Sequence, residues 1–221
     1  MLLVDFGLSP YHEIHDKQKK LFSELVERKR KGETEKEFIL IGEHYPVITL
    51  GRRAEKRNVL VSQTRLNQLG IETVEIERGG DVTFHSPGQL VVYPIIDLDK
   101  RGIGVKNYVL ILEDIVIEVL KDYGIKGEII EGSPGVWLGR GTINERKICA
   151  IGIRCNRFCT MHGFSLNVNN DLDGFKLINP CGFQDKGVTS IEKETGVSID
   201  IVEIKDKIIN KLYYYLFYIR S

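Results

Sequence analysis

The stretch Leu90-Val-Val-Tyr-Pro-Ile-Ile96 constrains the fold more than any other part of the chain. From Val91 to Leu98 the run is almost wholly apolar, far too short to cross a membrane, and of the kind found in a strand covered on both faces. Such a strand needs helices above and below it. Val105–Tyr123 supplies one, with apolar residues at 105, 109, 112, 116, 119, 120 and 123 on a single face and Gly124 as its stop. Tyr11–Lys31 supplies another, with Ile14, Leu21, Phe22, Leu25 and Val26 near helical spacing and Gly32 behind them. Ile201–Phe217 reads as a third, through Ile201, Ile204, Ile208, Leu212 and Leu216, and Gln63–Leu69 as a short fourth. Strands are expected at Phe38–Gly42, Val47–Leu50, Ile71–Glu77, Gly135–Leu138, Lys147–Cys155 and Thr160–Val168. The last two join through Asn156-Arg157-Phe158-Cys159 and predict a hairpin. Helices and strands alternate without strict βαβ regularity. The expected class is therefore α/β or α+β with a mixed sheet. No stretch is long and polar enough to be a linker, so residues 1–221 are expected to form one domain.

Charge narrows the partners. Lys and Arg number 31, as do Asp and Glu, so the surplus that neutralises a phosphate backbone is missing and no nucleic-acid partner is expected. The N-terminus, MLLVDFGLSP, meets an acid after three apolar residues and has no basic leader, which predicts neither a signal peptide nor a membrane anchor. Cys149, Cys155, Cys159 and Cys181 are too few for a disulfide scaffold and form no C-x-x-C pair, so reduced thiols in a cytoplasmic protein are expected. With no heptad and no long exposed apolar stripe, the expectation is a monomer.

Three segments carry side chains suited to chemistry. Arg78-Gly-Gly-Asp-Val-Thr-Phe-His85-Ser-Pro-Gly-Gln89 sets paired glycines after a strand, where backbone can approach a ligand and Arg78 and His85 can face one cleft. A bulged hairpin with a surface Arg and a hydrogen-bonded His fits the same residues. Neither G-x-x-x-x-G-K-[ST] nor G-x-G-x-x-G occurs, so nothing here cradles a nucleotide. Lys147-Ile-Cys-Ala-Ile-Gly-Ile-Arg154 opens an apolar strand with a lysine. It is either a strand-end charge that reaches solvent or, partly desolvated beside a thiol, a group that moves protons. Asn179-Pro-Cys181-Gly-Phe183 presents a thiol in a turn, as reactive cysteines are presented, whereas Cys149 sits mid-strand like an inert one. Cys155-x-x-x-Cys159-x-x-His162 offers zinc-type donors, but no fourth ligand lies near and the spacing matches no common zinc module. No metal site is expected. His12, His15 and His44 show no chemical neighbours in the sequence.

Taken together, RGGDVTFHSPGQLVVYPIIDL at 78–98, KICAIGIR at 147–154, MHGFSLNV at 161–168 and INPCG followed by VTSI at 178–191 resemble the lipoyl(octanoyl) transferase family. The order and separations agree over roughly residues 38–195. Phe84 and Ser86 depart from the family pattern, which has Tyr and Gly there. The resemblance implies the fold of the biotin and lipoate protein ligase catalytic domain. It implies transfer of an octanoyl or lipoyl group from the thioester of acyl carrier protein to a lysine of lipoyl domains, those of 2-oxoacid dehydrogenase E2 subunits and of the glycine cleavage H protein. By carry-over Cys181 is the acyl-thioester nucleophile and Lys147 its partner. Arg78, Gly79, Gly80, Asp81, Val82, Thr83, Phe84 and His85, with Ala150, Ile151, Gly152, Gly163, Phe164 and Ser165, would line the acyl and pantetheine cleft. A thioester is already activated toward an amine, so no cofactor and no ATP are implied. Three rivals remain open on the residues: an ATP-dependent lipoate or biotin ligase, a Cys-His hydrolase using Cys181 with His85 or His162, and a non-catalytic docking protein.

Overall fold

In the computed structural model, which describes residues 1–33, 36–179 and 187–218, the apolar run lies inside a mixed sheet. The strands are β1 (Leu2–Ser9), β2 (Phe38–His44), β3 (Val47–Leu50), β4 (Glu72–Glu75), β5 (Val82–His85), β6 (Gln89–Ile95), β7 (Glu128–Ile129), β8 (Gly135–Leu138), β9 (Arg146–Asn156), β10 (Cys159–Asn167) and β11 (Gly187–Val188). Eight of them form one sheet in the order β1-β2-β6-β10-β9-β8-β7, with β11 beside β9, and β4-β3-β5 form a second, smaller one. β1 runs parallel to β2 and β11 parallel to β9, while the other pairs in the large sheet are antiparallel. The helices are α1 (Tyr11–Lys31), α2 (Gln63–Gln68), α3 (Val105–Lys121), α4 (Ile191–Thr195) and α5 (Ile201–Tyr213), the last continuing as a π-helical turn over Tyr214–Tyr218.

Every residue of β6 is buried, and its alternation explains why. Leu90 and Val92 point into a core shared with α3 and α5, through Leu112, Val116, Ile204 and Ile208. Val91, Tyr93 and Ile95 point the other way, against Ile14, Phe22 and Leu25 of α1. Each fully buried aliphatic side chain of this kind contributes about 1.5–3 kcal/mol, so a strand that feeds two cores is doubly held. A third cluster, Ile48, Leu66, Val82, Phe84 and Ile178, packs the small sheet against α2. No helix among the described residues is long and apolar enough to cross a membrane.

Two features depart from expectation. β1 is an edge strand that the sequence does not announce: Leu2, Leu3 and Leu8 are exposed, and the pairing slips between Asp5 and Gly7, so no clean alternation exists. The strands also divide into two sheets, because β3 turns to pair with β4 and β5 and leaves β2 alone to pair with β6. This division opens the site. The segment from β4 to β5 must cross the face of the large sheet, and it carries Arg78-Gly79-Gly80 over β9.

Candidate active site

Backbone contact fixes the crossing. The Gly79 N–H donates to the Ile153 carbonyl at 2.9 Å, and a Cβ placed on Gly152 would lie 2.8 Å from Gly79 O and 3.0 Å from Arg78 Cδ. Only a residue without a side chain lets the two segments meet. The Arg78 guanidinium is turned under the loop, donating from Nη2 to the Thr49 carbonyl (2.8 Å) and hydroxyl (3.0 Å) and from Nη1 to Gly79 O (3.1 Å). Next to it, Gly163 permits β10 to approach β6, since a Cβ there would stand 2.1 Å from Val92 O. Between loop and sheet lies a cavity of about 460 Å³, within the usual span of roughly 300–1,000 Å³ for small-molecule sites.

The cavity gathers the Arg78–Gln89 and Lys147–Arg154 segments with Gly163–Ser165 of β10. Lys147 and all the residues expected to line the cleft are on its wall, except Phe84. Strand alternation turns Phe84 away from Thr83 and His85; its ring packs edge-on against Phe175, centroids 5.7 Å apart, in the small-sheet core. Apolar wall comes from Val109, Ile151, Ile153, Phe164, Phe175 and Val188.

A polar chain runs behind the wall. His85 Nδ1–H donates to Gln89 Oε1 (2.6 Å), Gln89 Nε2 to Asn167 Oδ1 (2.8 Å), and Asn167 Nδ2 to the Thr189 carbonyl (2.9 Å). The Thr189 N–H in turn donates to the Lys147 carbonyl at 3.0 Å. This chain joins the segments that carry His85, Asn167 and Lys147 to the segment that follows Cys181. Around His85 the rings of Tyr11, His44 and Tyr93 close in: Tyr11 stacks on His85 at 5.9 Å, and His44 accepts from the Tyr93 hydroxyl at Nε2 (2.9 Å) while donating from Nδ1 to Ser9 O (3.0 Å). Burial pushes His85 down to about 3, helped by nearby His44, and pushes His44 down to about 4. Both are neutral imidazoles at physiological pH. His162, at φ 59° within β10, is also held far below the usual histidine range, by burial first and then by His15 and Arg78. Its backbone N–H donates to Gln18 Oε1 at 3.1 Å.

Lys147 is seated by an aromatic ring. A pairing slip between Val136 and Trp137 puts Trp137 opposite Lys147, and the ammonium lies 4.4 Å from the ring centroid. Trp137 is oriented by its Nε1–H donating to Ser133 O (2.9 Å), and Lys147 Nζ donates to Pro134 O (3.3 Å). Beneath the slip, buried Glu113 accepts the Gly135 N–H at 2.9 Å. Cys181 lies outside the described residues. The chain on either side of it is tied to this region: Asn179 N–H donates to Asn58 O (2.7 Å), and Gly187 and Val188 pair with Arg146 and Lys147 and line the cavity. Cys149 is fully buried, and burial pushes its thiol far up, so it is inert.

The lipoyl protein ligase A/B catalytic domain matches residues 15–213. The octanoyltransferase of Bacteroides fragilis is 46% identical over 207 residues, covering 94% of each chain, and that of Bacteroides thetaiotaomicron is 44% identical over 94% of this chain and 91% of its own. The chain belongs to the octanoyltransferase family. The family's wider fold agrees with the architecture. A bipartite lipoate protein ligase from Thermoplasma acidophilum superposes with a TM-score of 0.68 at 16% identity, over 97% of this chain and 82% of that one. The biotin protein ligase of Aquifex aeolicus superposes with a TM-score of 0.53 at 15% identity, over 98% and 69%. The fold is thus that of biotin and lipoate ligase catalytic domains.

Several residues of the site are not conspicuous in the sequence. Tyr11, His15 and Gln18 share the buried face of α1, the i, i+4, i+7 positions of a helix whose apolar pattern alone would place that face nearer Leu21 and Leu25. His15 and His44 do have chemical neighbours: His15 meets Glu77 at 3.2 Å and His162 at 5.6 Å between ring centroids, and His44 meets His85 at 6.0 Å. Those contacts cross from one element to another, which no local spacing reveals.

Proposed function

We propose that this chain transfers an octanoyl or lipoyl group from the thioester of acyl carrier protein to a lysine of lipoyl domains, through an acyl-enzyme on Cys181. Family membership supports octanoyl transfer in protein lipoylation. The observation that carries the mechanism is Lys147: its ammonium stands on the cavity wall, held on Trp137, beside the strand that follows Cys181. An ammonium near a thiol favours the thiolate. The thiolate attacks the thioester carbonyl, and Lys147 returns a proton to the departing pantetheine sulfur. The amine so formed takes a proton from the incoming lysine as that lysine attacks the acyl-enzyme and the C–S bond breaks. Arg78–His85 without Phe84, Ala150–Gly152 and Gly163–Ser165 are the wall against which acyl chain and pantetheine rest. The acceptors proposed are lipoyl domains of 2-oxoacid dehydrogenase E2 subunits and of the glycine cleavage H protein, met by a one-domain, monomeric, cytoplasmic enzyme.

The histidines speak against a Cys-His hydrolase. His85 is committed through Nδ1 to Gln89 and is held at about 3, which makes it a weak base near neutral pH. Mixing the protein with octanoyl-carrier protein should add one octanoyl mass to Cys181, and adding a lipoyl domain should discharge it to an amide. A Cys181→Ala protein that still forms the amide with octanoate and ATP would overturn this reading in favour of a ligase.

A further inference from the structure

Among the described residues, one group brings metal-type donors together, and it is not the cysteine pair of the hairpin. Ligand atoms of His15, Glu77 and His162 all lie within 4.8 Å of one another. They come from three separate parts of the chain: α1, the segment before Arg78, and the middle of β10. His15 is 6% exposed and His162 1%, and His162 Nε2 is buried with no hydrogen-bond partner. A ring nitrogen without a partner in such a place is costly, and a protein tolerates it where something else takes the lone pair or proton. His15 Nε2 and Glu77 Oε2 are already 3.2 Å apart, close to the roughly 3.3 Å edge of a tetrahedron with ligand bonds of about 2.0–2.1 Å. His162 would need to close by no more than about 1.5 Å to complete that face.

We propose that His15, Glu77 and His162 form a binding site for a divalent transition cation of the Zn²⁺ type, beside the substrate cavity whose wall His162 joins. The donor set decides the class. Two imidazoles and one carboxylate suit a borderline cation, whereas Ca²⁺ and Mg²⁺ are held by oxygen alone. The surroundings support the carboxylate. Glu77 keeps Oε1 3.6 Å from Arg154 Nη1, and Arg154 is itself laid over the Phe22 ring at 5.1 Å, so the second oxygen is steadied in its direction toward His15. Entry is open on one side, since the Glu77 side chain is 39% exposed. His162 belongs to the cavity wall, so the ion's free position would be reached from the cavity. Neither His15 nor Glu77 is needed for acyl transfer in the mechanism above, and the site stands or falls independently of it.

The test is titration of chelator-stripped full-length protein with Zn²⁺ in a calorimeter, and with Co²⁺ followed by visible absorption. One Zn²⁺ per chain should bind, and Co²⁺ should give the bands of a nitrogen and oxygen site with no thiolate charge-transfer band. Glu77→Gln and His15→Asn should each weaken Zn²⁺ by at least about a hundredfold, the upper end of what losing an outer-shell partner costs, with the melting temperature of the metal-free protein checked for both. Absence of stoichiometric binding would overturn the site. So would a thiolate band, or full-strength binding in whichever of the two variants is folded.

Discussion

Lys147 combines two properties that different substitutions separate. Its charge is fixed on Trp137, and its amine can lose a proton. Arginine keeps the charge but holds its proton at any working pH, while alanine supplies neither. Lys147→Arg should therefore keep much of the rapid alkylation of Cys181 by iodoacetamide yet lose about 10²–10⁴ in amide-forming turnover, the usual worth of a general acid-base group. Lys147→Ala should lose both. Turnover near the wild-type rate in the folded arginine variant would reduce Lys147 to a fixed charge. Of the residues around it, Lys147 itself stands out in the sequence as a charge opening an apolar strand, but Trp137 does not. The two meet only because of the pairing slip in β8, and a slip leaves no mark in a hydrophobic pattern.

Elements hold this site through two places where a side chain fits only if its neighbours move. A Cβ on Gly163 would meet the Val92 carbonyl at 2.1 Å, backbone against backbone, between the two central strands. One on Gly152 would meet Gly79 O at 2.8 Å and Arg78 Cδ at 3.0 Å, and the loop can shift a little to receive it. Gly163→Ala should thus cost about 3 kcal/mol, the upper end of overpacking, and Gly152→Ala about 1–2 kcal/mol. Urea unfolding at unchanged m-value measures both; equal, negligible losses would mean that the approach is not tight. Gly152→Ala should in addition slow transfer, because it lifts the Arg78 loop from the cavity. The element pattern was largely readable beforehand. α1, β3 and β8 fall where the sequence puts them, α1 through its amphipathic spacing and β3 and β8 as short apolar runs buried at every residue. β1, β7 and β11 were not readable, being an exposed edge strand and two strands of two residues each. The hairpin at 156–159 was readable as a hairpin, although Arg157 and Phe158 both take positive φ (50° and 61°) where glycine or asparagine would be the usual signal.

At the scale of the whole molecule, the same packing that builds the cavity gathers His15, His44, His85 and His162 from distant parts of the chain and keeps them neutral. In each case burial is the first cause, and the folded value lies below the ordinary 6.5. The unfolded chain then binds more protons than the folded one below pH 6.5, so stability rises with pH and is lost as pH falls from about 6.5 toward the folded values of about 4 for His44 and about 3 for His85. At pH 5 each of these two histidines should have removed about 2 kcal/mol, at 1.36 kcal/mol per pH unit. Against a total of about 5–15 kcal/mol that is a large share. Glu37 and Glu194, held below the usual carboxylate range with Arg101 and Arg146 beside them, lose their contribution only at lower pH, beneath their ordinary 4.5. Glu113 is raised by burial and opposes the trend, since its protonation favours the folded state as pH falls through its folded value. Urea unfolding at pH 7.5 and pH 5 (two test conditions, about 1 to 1.5 units either side of 6.5), with chelator present to keep metal off His15 and His162, should show a fall of at least about 4 kcal/mol, since His15 and His162 add to the share of His44 and His85. His85→Asn should reduce that fall by about 2 kcal/mol, because asparagine carries no proton to gain. A flat profile over that interval would mean that water reaches the histidines in the folded protein and that the cavity floor is open.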